Sequence, residues 1–149
     1  MNKYMKMAID EAYRGIKLKH GGPFGAVIVK NNRVIAKGHN MVLKKKDPTC
    51  HAEMEAIRNA AKKLKTHDLS GCDIYIVGDP CPMCFAAINW ANINKIYYGC
   101  TTTDAEEIGF RDKIFFDQAK KLHRRAVQID RKACYKLYQD YFKTKHQLY

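Results

Sequence analysis

Phe24-Gly25-Ala26-Val27-Ile28-Val29-Lys30-Asn31-Asn32-Arg33-Val34-Ile35-Ala36-Lys37-Gly38 is the stretch that decides the fold. Two runs rich in β-branched residues read as strands, and only Asn31 and Asn32 lie between Lys30 and Arg33. Asn tolerates positive φ, so the spacing predicts a tight two-residue hairpin and one antiparallel pair. Before it, residues 3–19 place Met7, Ala8, Ala12 and Ile16, with Tyr4, at helical spacing, and His20-Gly21-Gly22-Pro23 ends that helix. After it, Asp47-Pro48-Thr49 leads into a strong helix former over 54–64. Residues 72–77 read as a buried strand, 82–91 as a helix with Pro82 in its first turn, and 95–99 as a strand. Residues 101–112 read as loop with one helical turn, 113–122 as a helix and 126–129 as a short strand. A last helix over 131–145 carries Ala133, Cys134, Leu137, Tyr138, Tyr141 and Phe142 at apolar spacing. Parallel strands joined through a helix need a right-handed crossover, and the hairpin adds the antiparallel pair. The expected fold class is therefore α/β: a three-layer α/β/α arrangement with a mixed five-stranded sheet.

At 149 residues the chain is expected to form a single domain with one core. Hydrophobic residues make up 46%, which argues against disorder, and no run of eighteen apolar residues exists that would span a membrane. The start, Met1-Asn2-Lys3-Tyr4-Met5-Lys6-Met7, lacks the apolar centre of a signal peptide. A cytoplasmic location is expected, and with it reduced thiols rather than a disulfide framework for the six cysteines. Cys50, Cys72, Cys100 and Cys134 stand singly and read as buried free thiols. The net charge of +12 would attract nucleic acid or acidic partners, but its lysines are spread along the chain as on solvated helix faces. Nucleic acid is the lesser expectation.

The chemistry sits in two strings, Cys50-His51-Ala52-Glu53 and Pro80-Cys81-Pro82-Met83-Cys84. His51, Cys81 and Cys84 are three ligands suited to one zinc ion, and a tetrahedral site with three protein ligands keeps a position for water. Glu53 is the carboxylate expected to move that water's protons. Both strings fall where a helix begins, and a helix start favours thiolate over thiol. Cys81 and Cys84 are one turn apart, so both sulfurs can face one point. A redox reading of the Cys-Pro-x-Cys spacing is weaker, because it gives the His-x-Glu string no role. Residues two apart on a regular helix point to nearly opposite sides, so His51 and Glu53 share a site only at a first turn. Glu55 is the second choice for the acid/base. Attack of activated water on an amidine-type ring carbon, with Glu53 passing protons to a ring nitrogen and to the departing amine, gives a carbonyl and ammonia.

His51, Glu53, Pro80, Cys81 and Cys84 meet the pattern H-x-E…P-C-x-x-C of the zinc nucleobase deaminases. Over most of its length the chain resembles the cytidine/deoxycytidylate deaminase superfamily. Gly22-Pro23-Phe24-Gly25-Ala26, Asn40, Asp47-Pro48-Thr49 and Trp90 are similar to its purine branch. Thr103-Asp104-Ala105-Glu106-Glu107-Ile108-Gly109-Phe110-Arg111-Asp112 and the long last helix ending at Tyr149 resemble the bacterial guanine deaminases. The resemblance implies a cytidine deaminase-like fold and one zinc ion per subunit. It implies that Phe24, Asn40, Ala52, Trp90, Asp112 and Tyr149 contact a purine base, and that Asp112 assists proton movement. It also implies a homodimer in which a segment of about 130–149 is exchanged, so that Tyr149 closes a neighbour's pocket. Physically, Asn40 offers a donor and an acceptor to a purine edge, while Phe24 and Trp90 are flat surfaces for a ring or else core residues. Two departures stand out: Cys50 where the family commonly has Ala, and Asp79, preceded by Gly78, where it has Glu.

Three functions are consistent with these residues. The first is deamination of guanine to xanthine. The second is a tRNA adenosine deaminase, for which the positive charge speaks. The third is a non-enzymatic nucleic-acid-binding module with a structural zinc, which needs a fourth ligand from Cys50, Cys72 or Cys100.

Overall fold

The computed structural model describes residues 1–122 and Arg131. By its contacts the chain divides into two compact units, Met1–Phe116 and Asp117–Tyr149. The fold below is that of the first. Strands β1 (Gly25–Lys30) and β2 (Arg33–His39) form the hairpin, with Lys30 opposite Arg33. Asn31 and Asn32 both take positive φ, 49° and 59°, which is the turn whose twist matches that of the strands it joins. Strand β3 (Cys72–Gly78) runs antiparallel along the other side of β1, and β4 (Lys95–Cys100) runs parallel to β3. The order is β2-β1-β3-β4. The mixed sheet is as expected, but among the described residues it has four strands rather than five. The strand expected over 126–129 and the helix over 131–145 lie outside the described residues.

Successive residues of β1 face opposite ways, and this period of two builds the layers. Val27 and Val29 pack with Tyr4 and Ala8 of helix α1 (Lys3–Lys17), beside Tyr75 and Val77 of β3. Ala26 and Ile28 pack with Ala52, Ala56 and Ala60 of α3 (Ala52–Leu64), Ile88 of α4 (Pro82–Trp90), and Ile74 and Ile76 of β3. The sheet is thus covered by α1 on one face and by α3 and α4 on the other, and each fully buried isoleucine contributes about 1.5–3 kcal/mol. The inner face of α3 is alanine at every fourth position, so its backbone lies close to the sheet. Gly38 on β2 takes up the remaining space: a β-carbon there would collide with the Ala52 carbonyl and approach the Ala56 nitrogen at 2.5 Å. This contact seats the first turn of α3, and with it His51.

Two short helices exceed the sequence reading. Helix α2 (Val42–Lys45) occupies a stretch with no apolar period to announce it. Helix α5 (Thr102–Glu107) replaces the expected loop and single turn. Its signal was the Thr101-x-x-Asp104 pair, a reciprocal capping box in which Asp104 accepts the Thr101 N–H at 2.6 Å and Thr101 Oγ1 accepts the Asp104 N–H at 3.2 Å. Helix α6 (Asp112–Leu122) follows. Among the described residues no helix is long and apolar enough to cross a membrane.

Candidate active site

Helices α3 and α4 begin in the same way. His51 is the N-cap of α3, with φ −68° and ψ 161°, and Cys81 is the N-cap of α4, with φ −61° and ψ 165°. Each gives its carbonyl to the first helical hydrogen bond, from Glu55 N–H at 3.0 Å and from Phe85 N–H at 2.8 Å. Neither side chain caps its own helix. Both are therefore available to something between the two helix starts. Because His51 is extended rather than helical, the divergence expected of residues two apart does not arise. Glu53, in the first turn, lies on the same side.

The ligand atoms of His51, Cys81 and Cys84 all lie within 4.8 Å of one another, and His51 Nδ1 is 3.6 Å from Cys81 Sγ. Tetrahedral zinc, with Zn–S near 2.3 Å and Zn–N near 2.0 Å, sets such atoms about 3.5–3.8 Å apart. The protonation of the donors agrees. The hydrogen bond from Cys84, against the opposing effect of burial and with help from His51, holds the Cys81 thiol down to about 4. The same bond, together with burial, pushes Cys84 far up. Two buried sulfurs thus share one proton, and a divalent cation at that point is what allows both to ionise. The residues fit a zinc ion in kind, spacing and charge. Among the described residues this cluster has three members. The candidates for a fourth ligand are elsewhere: Cys72 is in the core, Cys100 is exposed at the end of β4, and Cys50 meets Arg58 Nη1 at 3.5 Å. Cys134 lies outside the described residues.

Glu53 is 6% exposed, and burial, reinforced by the Cys81 thiolate, pushes its carboxyl up to about 7. Cys84 hydrogen-bonds to it, which puts the carboxyl against the ligand set. Glu55 is engaged elsewhere. Burial would raise it, but Lys45 Nζ at 2.7 Å, Cys50 and Arg58 Nη1 at 2.8 Å outweigh that and hold it below its ordinary value. The second choice for the acid/base is a structural ion-pair centre.

Asp112, at the start of α6, is partly buried. Burial raises its carboxyl, Cys81 raises it further and His51 lowers it, so it stands within electrostatic reach of the ligands. Ala52 is fully buried at the first position of α3. Asn40 is buried beside β2; its Oδ1 accepts the Val42 N–H at 3.1 Å and its N–H donates to the Phe24 carbonyl at 3.1 Å. The Phe24 ring meets Phe110 edge-on, with centroids 4.8 Å apart at 85°. Phe110 received no role in the sequence reading, although it stands in the same string as Asp112. Gly22 makes room for it, since a β-carbon there would meet Phe110 Cζ at 2.6 Å. Trp90 is not a core residue. It is 69% exposed at the last position of α4, about 9 Å along the axis from Cys84. Tyr149 lies outside the described residues.

The family model for the cytidine and deoxycytidylate deaminase zinc-binding region matches residues 1–100. The chain is 44% identical over 118 residues to the guanine deaminase of Bacillus subtilis, covering 79% of this chain and 76% of that protein. It is 43% identical over 95 residues to the tRNA-specific adenosine deaminase of Aquifex aeolicus, covering 64% and 62%. The X-ray structure of guanine deaminase from Bacillus subtilis matches 100% of this chain over 99% of its own, with a TM-score of 0.91 and 37% identity.

Proposed function

This chain belongs to the cytidine and deoxycytidylate deaminase family, whose reaction is hydrolytic loss of an amine, and we propose that its substrate is a free purine base, guanine giving xanthine and ammonia. His51, Cys81 and Cys84 would hold one zinc ion per subunit. When bound, the ion supplies the Lewis acidity that brings the pKa of a water molecule near neutral. Glu53 would accept a proton from a water molecule at the site and deliver it to the ring nitrogen beside the amine-bearing carbon. It then carries the water's second proton to the departing amine. One C–O bond forms, one C–N bond breaks, and water is exchanged for ammonia. A carboxyl held near neutral pH is suited to both accepting and donating. Asn40, with Oδ1 engaged by the main chain, turns its amide donors to an acceptor on the base. Phe24 lies along the ring. Ala52 presents one of the first-turn N–H groups that have no intrahelical acceptor. Tyr149 closes the site, carried there from a neighbouring subunit in a homodimer with exchanged C-terminal segments.

One observation supports the choice of a purine base: a half-buried Asp112 within electrostatic reach of Cys81 and His51, a carboxylate suited in kind to the N–H edge of guanine. The match to a guanine deaminase along the whole chain supports it. The test is ammonia release from guanine, adenine, cytosine and their nucleosides by the zinc-loaded protein. Guanine is expected to turn over, and failure of every free base would end this reading. The second reading, a tRNA adenosine deaminase, is favoured by the net charge of +12 and by the Aquifex aeolicus relative. Inosine formed at a wobble position, with a steep dependence on salt, would favour it over the first.

A further inference from the structure

Glu11, His39 and His20 form a hydrogen-bonded chain that no step of deamination uses. Glu11 is 9% exposed and His39 is 7% exposed. Glu11 Oε1 lies 2.8 Å from His39 Nδ1, and His39 Nε2 lies 2.9 Å from His20 Nδ1. The two imidazoles stack at 25°, with centroids 5.1 Å apart. Arg14 Nη1 donates to the same Glu11 oxygen at 3.1 Å. The fold makes room for this chain at Gly15, where a β-carbon would meet His39 Cδ2 at 2.7 Å. A buried carboxylate and a buried imidazole cost free energy unless fully paired, and here each is paired with the other.

What the chain holds is the turn carrying Asn40. His39 immediately precedes Asn40. His20 immediately precedes Gly21, whose bare Cα faces Asn40 so closely that a β-carbon would drive into the Asn40 side-chain oxygen. The His20 carbonyl accepts the N–H groups of Leu43 and Lys44, both at 3.0 Å. Residues 20 and 21 therefore grip residues 39–44 through a ring, a Cα and a carbonyl.

We propose that Glu11, His39 and His20 are positioning residues that orient the Asn40 amide toward the bound base, and that their chain accommodates one added proton between its imidazoles but not two. The first half rests on Asn40 contacting the base, as argued above. The second follows from counting donors. Glu11 accepts the His39 Nδ1–H throughout. With both rings neutral, His20 Nδ1–H donates to His39 Nε2. With one added proton, a single N–H still lies between the rings whichever imidazole carries the charge, and the bond is kept. With two, N–H faces N–H and the bond is lost. The charged groups facing the pair are Glu11 and Arg14 from α1 and Lys44 from α2, with each imidazole facing the other. Partial burial first, then His39, Lys44 and Arg14, hold His20 below its ordinary 6.5. These surroundings oppose the second proton, and acid strong enough to add it breaks the His20–His39 bond and releases the Asn40 turn.

The experiment uses the zinc-loaded full chain and two readouts. KM and kcat for guanine are measured across the acid side of neutrality for the native protein, His20→Ala and His20→Gln. The Asn40 side-chain amide resonance is followed over the same range without substrate. His20→Ala is expected to raise KM about tenfold near neutral pH with kcat nearly unchanged, as loss of one hydrogen bond allows. His20→Gln, which keeps a donor to His39 but takes no proton, should restore KM and abolish its rise on the acid side. The Asn40 resonance should move in His20→Ala, and in the native protein it should move as His20 titrates. Identical pH profiles for native and His20→Ala, or an Asn40 resonance indifferent to both, would overturn the proposal. A responsive resonance in a protein that turns over no free base would sink the guanine reading and sustain the positioning role.

Discussion

His51 Nδ1 and Cys81 Sγ stand 3.6 Å apart although thirty residues separate them in the chain, because each is the N-cap of a helix packed on the same face of the sheet. The two helix starts share one geometry, and the candidate metal site is the space between them. Consequences of this arrangement can be measured.

Glu53→Ala should leave the metal in place and lower kcat/KM by about 10²–10⁴-fold, the usual contribution of a general acid–base. Steady-state kinetics together with the zinc content of the purified variant checks both halves. Loss of the metal with the activity would show Glu53 to be part of the ligand set instead.

Removing zinc should lower the melting temperature, and restoring it should bring the temperature back, because an ion bound only by the folded chain adds its binding free energy to stability. Cys84→Ser should imitate the metal-free protein and show no response to chelator. Thermal melts with and without chelator, on both proteins, decide this.

Glu55 sets an acid limit on stability. Its carboxyl, buried but hydrogen-bonded by Lys45, Cys50 and Arg58, lies below its ordinary value of 4.5 in the folded chain. A depressed carboxylate stabilises the fold above the unfolded value, and the contribution disappears as pH falls from about 4.5 through the folded value. Glu55→Gln should flatten that part of the stability profile. It should cost about 1–2 kcal/mol at neutral pH, since the side chains of Lys45 and Arg58 are each 44% exposed and can be hydrated once released. Urea unfolding of the native and variant chains at several pH values measures it.

Gly38→Ala should weaken zinc binding out of proportion to its effect on the rest of the fold. Its new β-carbon would displace the Ala52 carbonyl and so the first turn that seats His51. Overpacking of this kind costs about 1–3 kcal/mol. Competition with a zinc-responsive dye, beside a melting curve of the metal-free variant, separates the local effect from the global one.

Helix-start signals and ligand spacing are properties of a few adjacent residues, so they were legible without coordinates. The Asn31-Asn32 turn, the Cys81-x-x-Cys84 spacing and Pro82 at a first turn all reappear as read. The alternation along β1 that separates α1 from α3 and α4 was not legible, because the run Gly25–Val29 is apolar on both faces. Side-chain partnerships across the fold were not legible. Glu53 and Glu55 are near-identical in sequence terms, and only the direction of the first turn of α3, with Lys45 and Arg58 waiting on its other side, divides the carboxyl beside the His–Cys–Cys cluster from the ion pair. Phe110 acquires its place from Gly22 and Phe24. Trp90 proves to be an exposed residue at the end of α4 rather than a core residue, which its sequence neighbours do not announce. The Glu11–His39 contact joins residues 28 apart, each unremarked in its own neighbourhood. Periodicity and caps depend on backbone geometry over one or two turns, which local residues dictate. Which buried polar groups meet is settled only when sheet and helices pack, because burial makes pairing obligatory and packing supplies the partner.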